Sequence, residues 1–208
     1  MGVIKLNEGL VEQIRGYLDK QEKIREEILE SSRKVIRLSS RTIAAIHRKE
    51  DEKAGEFLSK AREELAALIE IIRDQPQLFE SGLVMSAQQE YGEAAIFRSL
   101  VNNGKLLTPE EVGIPYKPYL FAISDLCGEV RRYALDSIRS DDVQTAERML
   151  SLLEDIFTFL MEFDYPDAVL PGMKRRQDMV RKMLELTRGD VTLAVRQLRL
   201  ENALKKGQ

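Results

Sequence analysis

Leu10, Ile14, Tyr17, Gln21, Ile24, Ile28, Ser31, Val35, Leu38 and Thr42 follow one another at alternating spacings of four and three, with Ile46 one turn further on. A seam of this kind, running about 40 residues without a proline, predicts a single helix far longer than the average. Gly9 and Gly16 weaken only its first turns. At about 1.5 Å per residue such a helix spans roughly 60 Å. A chain of 208 residues does not need that length to close one core. Part of the seam is therefore expected to pack on a partner subunit, which predicts a homo-oligomer.

The rest of the chain reads as shorter helices. A second, about Asp51 to Arg73, carries Phe57, Leu58, Leu65, Leu68, Ile69 and Ile72 at helical spacing, and Pro76 follows it. A third runs from roughly Gln77 to Asn102 and stops at Asn103-Gly104. Thr108-Pro109-Glu110-Glu111 reads as an N-cap, a proline at the first helical position and acids in the first turn, which marks a short fourth helix. A fifth runs from about Pro118 to Arg139 and a sixth from about Asp141 to Glu162. After an irregular loop, Asp164 to Pro171, a seventh starts near Gly172 and is expected to end at Gly189, with Asp190 capping a last short helix to about Leu204. No β-alternation competes with these patterns. The expected fold class is all-α: one domain over residues 1–208, built of seven or eight mostly antiparallel helices.

Composition excludes several function classes. The net charge of −3 gives no general attraction for polyanions, so a basic surface would have to be local. Cys127 is the only cysteine, which rules out an intrachain disulfide and suits a reducing interior. There is no apolar run near the ~18 residues of a membrane span. The opening residues lack a signal peptide's order, and Leu6 stands where a myristoylation motif wants Ser or Thr. The expectation is a soluble cytoplasmic protein with no membrane partner. His47 is the only histidine, so one chain can build neither a Ser-His-Asp triad nor a His-rich zinc site. Phosphate-loop and dinucleotide glycine motifs are absent, as are the Glu-x-x-His pairs of di-iron bundles.

Two patterns could carry chemistry. Between Leu83 and Val101 the only acids are Glu90 and Glu93, and between Tyr119 and Val130 the only charges are Asp125 and Glu129. Spacings of three and four place each pair on one helix face. Small residues flank them: Gly92, Ala94 and Ala95 in one segment, Ser124, Cys127 and Gly128 in the other. If the two helices pack, four carboxylates converge on a place suited to a cation, and oxygen-only ligation favours Mg²⁺, with Mn²⁺ as the alternative. The competing reading pairs these acids with Arg98, Arg131 or Arg132 as ordinary salt bridges. Tyr91 and Cys127 read as core. The second pattern is basic. From Ser31 to Lys49 there are Arg33, Lys34, Arg37, Arg41, Arg48 and Lys49 and no acid, and Lys174, Arg175 and Arg176 open the seventh helix. Segregated cations suit phosphate contacts, against the alternative of a solvated face.

These residues carry a resemblance. Ser124-Asp125-Leu126-Cys127-Gly128-Glu129-Val130-Arg131-Arg132 through Ile138 resembles the ADLTGELxRxxxNSV segment of the translin family. Gln89-Glu90-Tyr91-Gly92-Glu93-Ala94 is similar to the QEYxEA segment of its catalytic branch, translin-associated factor X (Trax). Pro171 to Arg176 and Thr187-Arg188-Gly189-Asp190 are similar to the family's C-terminal blocks. The resemblance implies a translin-like superhelical bundle assembled into hollow octameric shells. In the Trax branch it also implies a Mg²⁺-dependent endoribonuclease acting on RNA inside the shell. The acids of that branch fall on Glu90, Glu93 and Asp125, with Glu129 as a fourth. The compact length resembles a prokaryotic or archaeal form that builds the whole shell alone. The expectation is a nuclease for mainly single-stranded RNA, with single-stranded DNA as a further ligand. Arg33, Lys34, Arg37, Arg41, Lys174, Arg175 and Arg176 are expected to hold the strand. The alternative is a non-catalytic nucleic-acid-binding oligomer in which the acids are structural.

Overall fold

In the computed structural model, which describes residues 8–73, 78 and 81–206, the first helix is one piece, α1, Glu8–His47. Its seam changes character along its length. Leu10, Ile14 and Tyr17 are exposed, Gln21 and Ile24 are half-buried, and Ile28, Ser31, Val35, Thr42 and Ile46 are buried. Only the second half of α1 lies on the body of the molecule.

Six further helices follow among the described residues, with no strand: α2 Asp51–Ile71, α3 Gly82–Asn103, α4 Pro109–Val112, α5 Tyr116–Arg139, α6 Val143–Met161 and α7 Met173–Lys206. The expected proline stop at 76 and the expected first residues of the third helix lie outside the described residues. Gly104, at φ +65°, ends α3 in the left-handed conformation that glycine adopts without strain. Thr108 caps α4 as expected, with Pro109 at its first position, and the structure adds a reciprocal capping box between Thr108 and Glu111. Helix α5 begins two residues before Pro118. That proline sits in the first turn, where its missing N–H would have had no intrahelical acceptor.

The expected break at Gly189 does not occur, and α7 runs straight through it. Thr187 and Val191, a turn apart on either side, are both buried, so packing holds the backbone helical through a glycine that costs about 1 kcal/mol. Asp190 caps nothing. Its carboxylate accepts from Arg131 of α5 at 2.8 Å, and Arg131 also donates to Thr187 at 2.9 Å.

Helices α3 and α5 form the middle of the molecule. Helices α1 and α2 pack on each other and on α3, while α6 and α7 pack on each other and on α5. The central seam is dry: Ile96, Phe97, Ile123, Leu126 and Val130 are fully buried. Helices α3 and α5 approach closely at Gly92. A Cβ there would stand 3.1 Å from that of Ala122 and 2.5 Å from Cδ1 of Ile114. No helix among the described residues is long and apolar enough to cross a membrane.

Candidate functional site

The close approach at Gly92 brings the two acid pairs to one seam. Glu90 and Glu93 come from α3, Asp125 and Glu129 from α5. Glu93 is the most buried, only 8% exposed. Burial first, then the charges of Glu90, Asp125 and Glu129, push its carboxyl up to about 8, opposed by Arg176. Glu90 is raised for the same reasons: burial, then Asp125 and Glu129. Two acids of the set thus hold protons more tightly than ordinary carboxylates, and each senses its neighbours across the helix interface. This mutual repulsion is the electrostatic signature of acids sharing one site.

The other two acids have partners. Asp125 accepts from Arg176, on the first turns of α7, and from the amide of Gln89 on α3. The Arg176 guanidinium also lies over the Phe121 ring, 4.5 Å from its centroid. Nε2 of His47, in the last turn of α1, donates to Oε2 of Glu129 at 2.6 Å and lowers that acid's pKa, with burial acting in the opposite sense. The His47 ring is buried between Phe97 and Tyr133, with centroids 5.3 and 6.0 Å away, and its Nδ1 is 3.8 Å from Asp136.

The salt-bridge reading named other arginines. Arg98 is committed to Asp51, and Arg131 to Asp190. Only Arg132 reaches the acids, at 3.8 Å from Glu129 and largely exposed. Tyr91 and Cys127 are core residues, and burial pushes the Cys127 thiol up to about 12, which leaves no thiolate for chemistry at neutral pH.

As the side chains stand, no three His, Cys, Asp or Glu groups among the described residues make a ready-formed cage for an ion. The donor set nonetheless fits a hard divalent cation. It is all oxygen, it concentrates negative charge, and it holds a carboxyl that is protonated near neutral pH unless a cation offsets it.

The basic residues occupy two places. On α1, Arg33, Arg37 and Arg41 are exposed, with Arg41 over the Phe57 ring at 5.8 Å, and Lys34 is half-exposed and bonded to Glu30 at 3.1 Å. Lys174 and Arg175 are exposed at the start of α7, beside the turned-in Arg176.

Three side chains at the site were not legible as members of it. His47 stood out only as the lone histidine, although its place one turn after Ile43 puts it on the inner face of α1. Gln89 sat inside the quoted QEY segment without a role. Arg176 read as part of a strand-binding cluster, and the structure turns it onto Asp125.

An all-helical fold with a long basic first helix and a carboxylate seam between its two middle helices defines the class, and the chain belongs to the translin family, matching it over residues 23–187. An uncharacterized protein of Methanocaldococcus jannaschii is 32% identical over 195 residues, covering 92% of this chain and 86% of its own length. Among solved structures, AfC3PO is 33% identical, with a TM-score of 0.83 over 91% of this chain and 98% of that one. The complex of AfC3PO with duplex RNA gives 32% and 0.82 over the same shares.

Proposed function

We propose that this chain is a Trax-like, Mg²⁺-dependent endoribonuclease that works as a homo-oligomeric shell, most simply of eight subunits, on RNA held inside. The observation that carries this reading is Glu93, a carboxyl buried in the α3–α5 seam among three other acids and raised to about 8. Carboxyls raised by burial and by neighbouring acids cluster at functional sites, although structural networks also produce them. The relative of known structure bound to duplex RNA supports an RNA ligand. The exposed half of α1 supports assembly, because Leu10, Ile14 and Tyr17 form an uncovered apolar face.

Each residue then has a task. The four-acid set would hold the cation, Mg²⁺ or in its place Mn²⁺, with Glu90, Asp125 and Glu129 as its ligands and Glu93 beside them. Once bound, it would supply Lewis acidity toward a phosphodiester and lower the pKa of nearby water. Glu93, the acid not committed to the ion, would take the proton of the attacking water. Gln89 and His47 fix the orientation of Asp125 and Glu129 by hydrogen bonds. Arg33, Lys34, Arg37, Arg41, Lys174 and Arg175 would grip flanking phosphates, setting register without reading bases. Cleavage of labelled single-stranded RNA by the purified protein, lost on adding EDTA and restored by Mg²⁺, is the expected result. No cleavage at any divalent ion concentration would overturn the enzymatic reading. The non-catalytic reading draws on one observation, that Asp125 and Glu129 already have protein partners.

The α1 stripe makes its own prediction. Replacing Arg37 and Arg41 together with Ala should weaken RNA binding and flatten its dependence on log salt by up to about two contacts, at ~0.7 per contact for single strands. Neither residue is buried, so the melting temperature should hardly move. An unchanged salt slope would mean that the strand runs elsewhere.

A further inference from the structure

Arg176 is in an odd place for a residue whose only job is to bind RNA. The first turn of α7 carries Lys174, Arg175 and Arg176 and no acid, although the N-terminal end of a helix is its positive pole and disfavours cations. An anion must offset that conflict, and for Arg176 it is Asp125. The guanidinium is held on two sides, by the Asp125 carboxylate and by the face of Phe121. It also lowers the proton affinity of Glu93, so its charge acts on the buried member of the cluster as well. Its side chain is 25% exposed, so one edge faces the solvent from which a substrate arrives.

We propose that Arg176 is the internal counter-cation of the four-acid cluster, held on Asp125 until a divalent cation takes that carboxylate, whereupon the freed guanidinium binds a phosphodiester oxygen of the RNA. This rests on the reading of the acids as a cation site. With the four acids ionised, one arginine offsets a single negative charge and a divalent ion offsets two, so the ion is the stronger counter-charge, and the arginine it frees is matched by a phosphate. A guanidinium suits both states, because its planar fork meets carboxylate and phosphate with the same geometry and stacks on an aromatic ring in between. No covalent step is involved. Arg176 therefore links metal occupancy to RNA affinity, a coupling between two ligands that a merely structural ion pair would not produce.

The test uses the full-length protein, Mn²⁺ as the probe ion, and a hydrolysis-resistant phosphorothioate single-stranded RNA. In Arg176→Gln, Mn²⁺ measured by titration calorimetry or paramagnetic resonance should bind at least several-fold more tightly than in wild type, because its competitor has gone. Wild-type RNA affinity should rise on adding Mn²⁺, and that rise should be lost in Arg176→Gln, while the affinities of the two proteins without metal should be similar. Arg176→Lys keeps the charge without the fork or the stacking. It should fold as wild type and retain only part of the coupling, which keeps the test valid if the Gln variant is unstable. Unchanged or weaker Mn²⁺ binding in Arg176→Gln, or equal metal–RNA coupling in all three proteins, would overturn the proposal and leave the cation site standing. If neither wild type nor Arg176→Gln binds Mn²⁺, the cation site itself is wrong and the proposal falls with it. Binding confined to the variant would support the proposal in its strongest form.

Discussion

Asp125→Asn should abolish RNA cleavage and leave RNA binding and assembly intact. The substitution keeps size and shape but replaces an anionic oxygen with a neutral one, at the acid that faces both Arg176 and Gln89. If the cluster holds a divalent ion, losing one charged ligand removes several kcal/mol of transition-state stabilisation, on the order of 10²-fold or more in rate. Stability should change little, for two opposed reasons. The Asp125–Arg176 pair is partly exposed, at 34% and 25%, and pairs of that kind contribute about 0–1 kcal/mol. Removing the Asp125 charge also relieves repulsion on Glu90 and Glu93. A purely structural Asp125 predicts the opposite pattern: a stranded Arg176, a lower melting temperature and undiminished cleavage by the folded fraction. Wild-type cleavage by a well-folded Asp125→Asn protein would remove the metal site as drawn.

The second large effect is a pH dependence centred on Glu93. Its carboxyl is raised in the folded protein from 4.5 to about 8, which corresponds to roughly 4–5 kcal/mol at most. A group raised on folding contributes its stability in full below the unfolded value, near pH 4.5, and loses it as pH climbs through about 8. The metal-free protein should therefore weaken between those two limits. Glu93→Gln, which mimics the protonated side chain, should match wild type near pH 5 and melt several degrees higher near pH 9. Cation binding should reverse the wild-type loss. Since the ion must displace the Glu93 proton, its apparent affinity should climb by up to about tenfold per pH unit until near 8. Thermal melts of both proteins across that range, with and without Mg²⁺, check the prediction. A stability difference that does not vary with pH would mean that Glu93 titrates in the folded protein as it does in the unfolded chain.

Most of the fold was open to sequence reading because it follows from local patterns. The α1 seam, the N-cap at Thr108 with Pro109 after it, and the stop at Gly104 are set by residues within a few positions of one another, and the structure matches them. The failure at Gly189 has a different origin. Glycine and aspartate together read as the end of one helix and the start of the next, but Thr187 and Val191 are buried against the body. Packing across the molecule therefore outweighed a local preference worth about 1 kcal/mol. The acids were legible as two pairs, since period alone places Glu90 with Glu93 and Asp125 with Glu129. Their partners were not. Arg176 is 51 residues from Asp125 and His47 is 82 from Glu129, and no local rule links positions so far apart. The nearby arginines, Arg98 and Arg131, were the natural candidates, but their reach is set by Asp51 and Asp190 on other helices.

Helix α1 combines two very different stabilities in one unbroken rod. From Ile28 onward it is anchored on α2 and α3, while Leu10, Ile14, Tyr17 and Leu18 meet water in the single chain. An isolated helical arm of about 20 residues is marginal in water. Its order would therefore come from neighbouring copies in the proposed shell, through mass action. Dilution would then melt the arm before the body, and the protein would register its own abundance: scarce, a globule with a fraying tail; plentiful, a closed container. The proposed nuclease would thereby gain its enclosure only where enough of it has accumulated to build one.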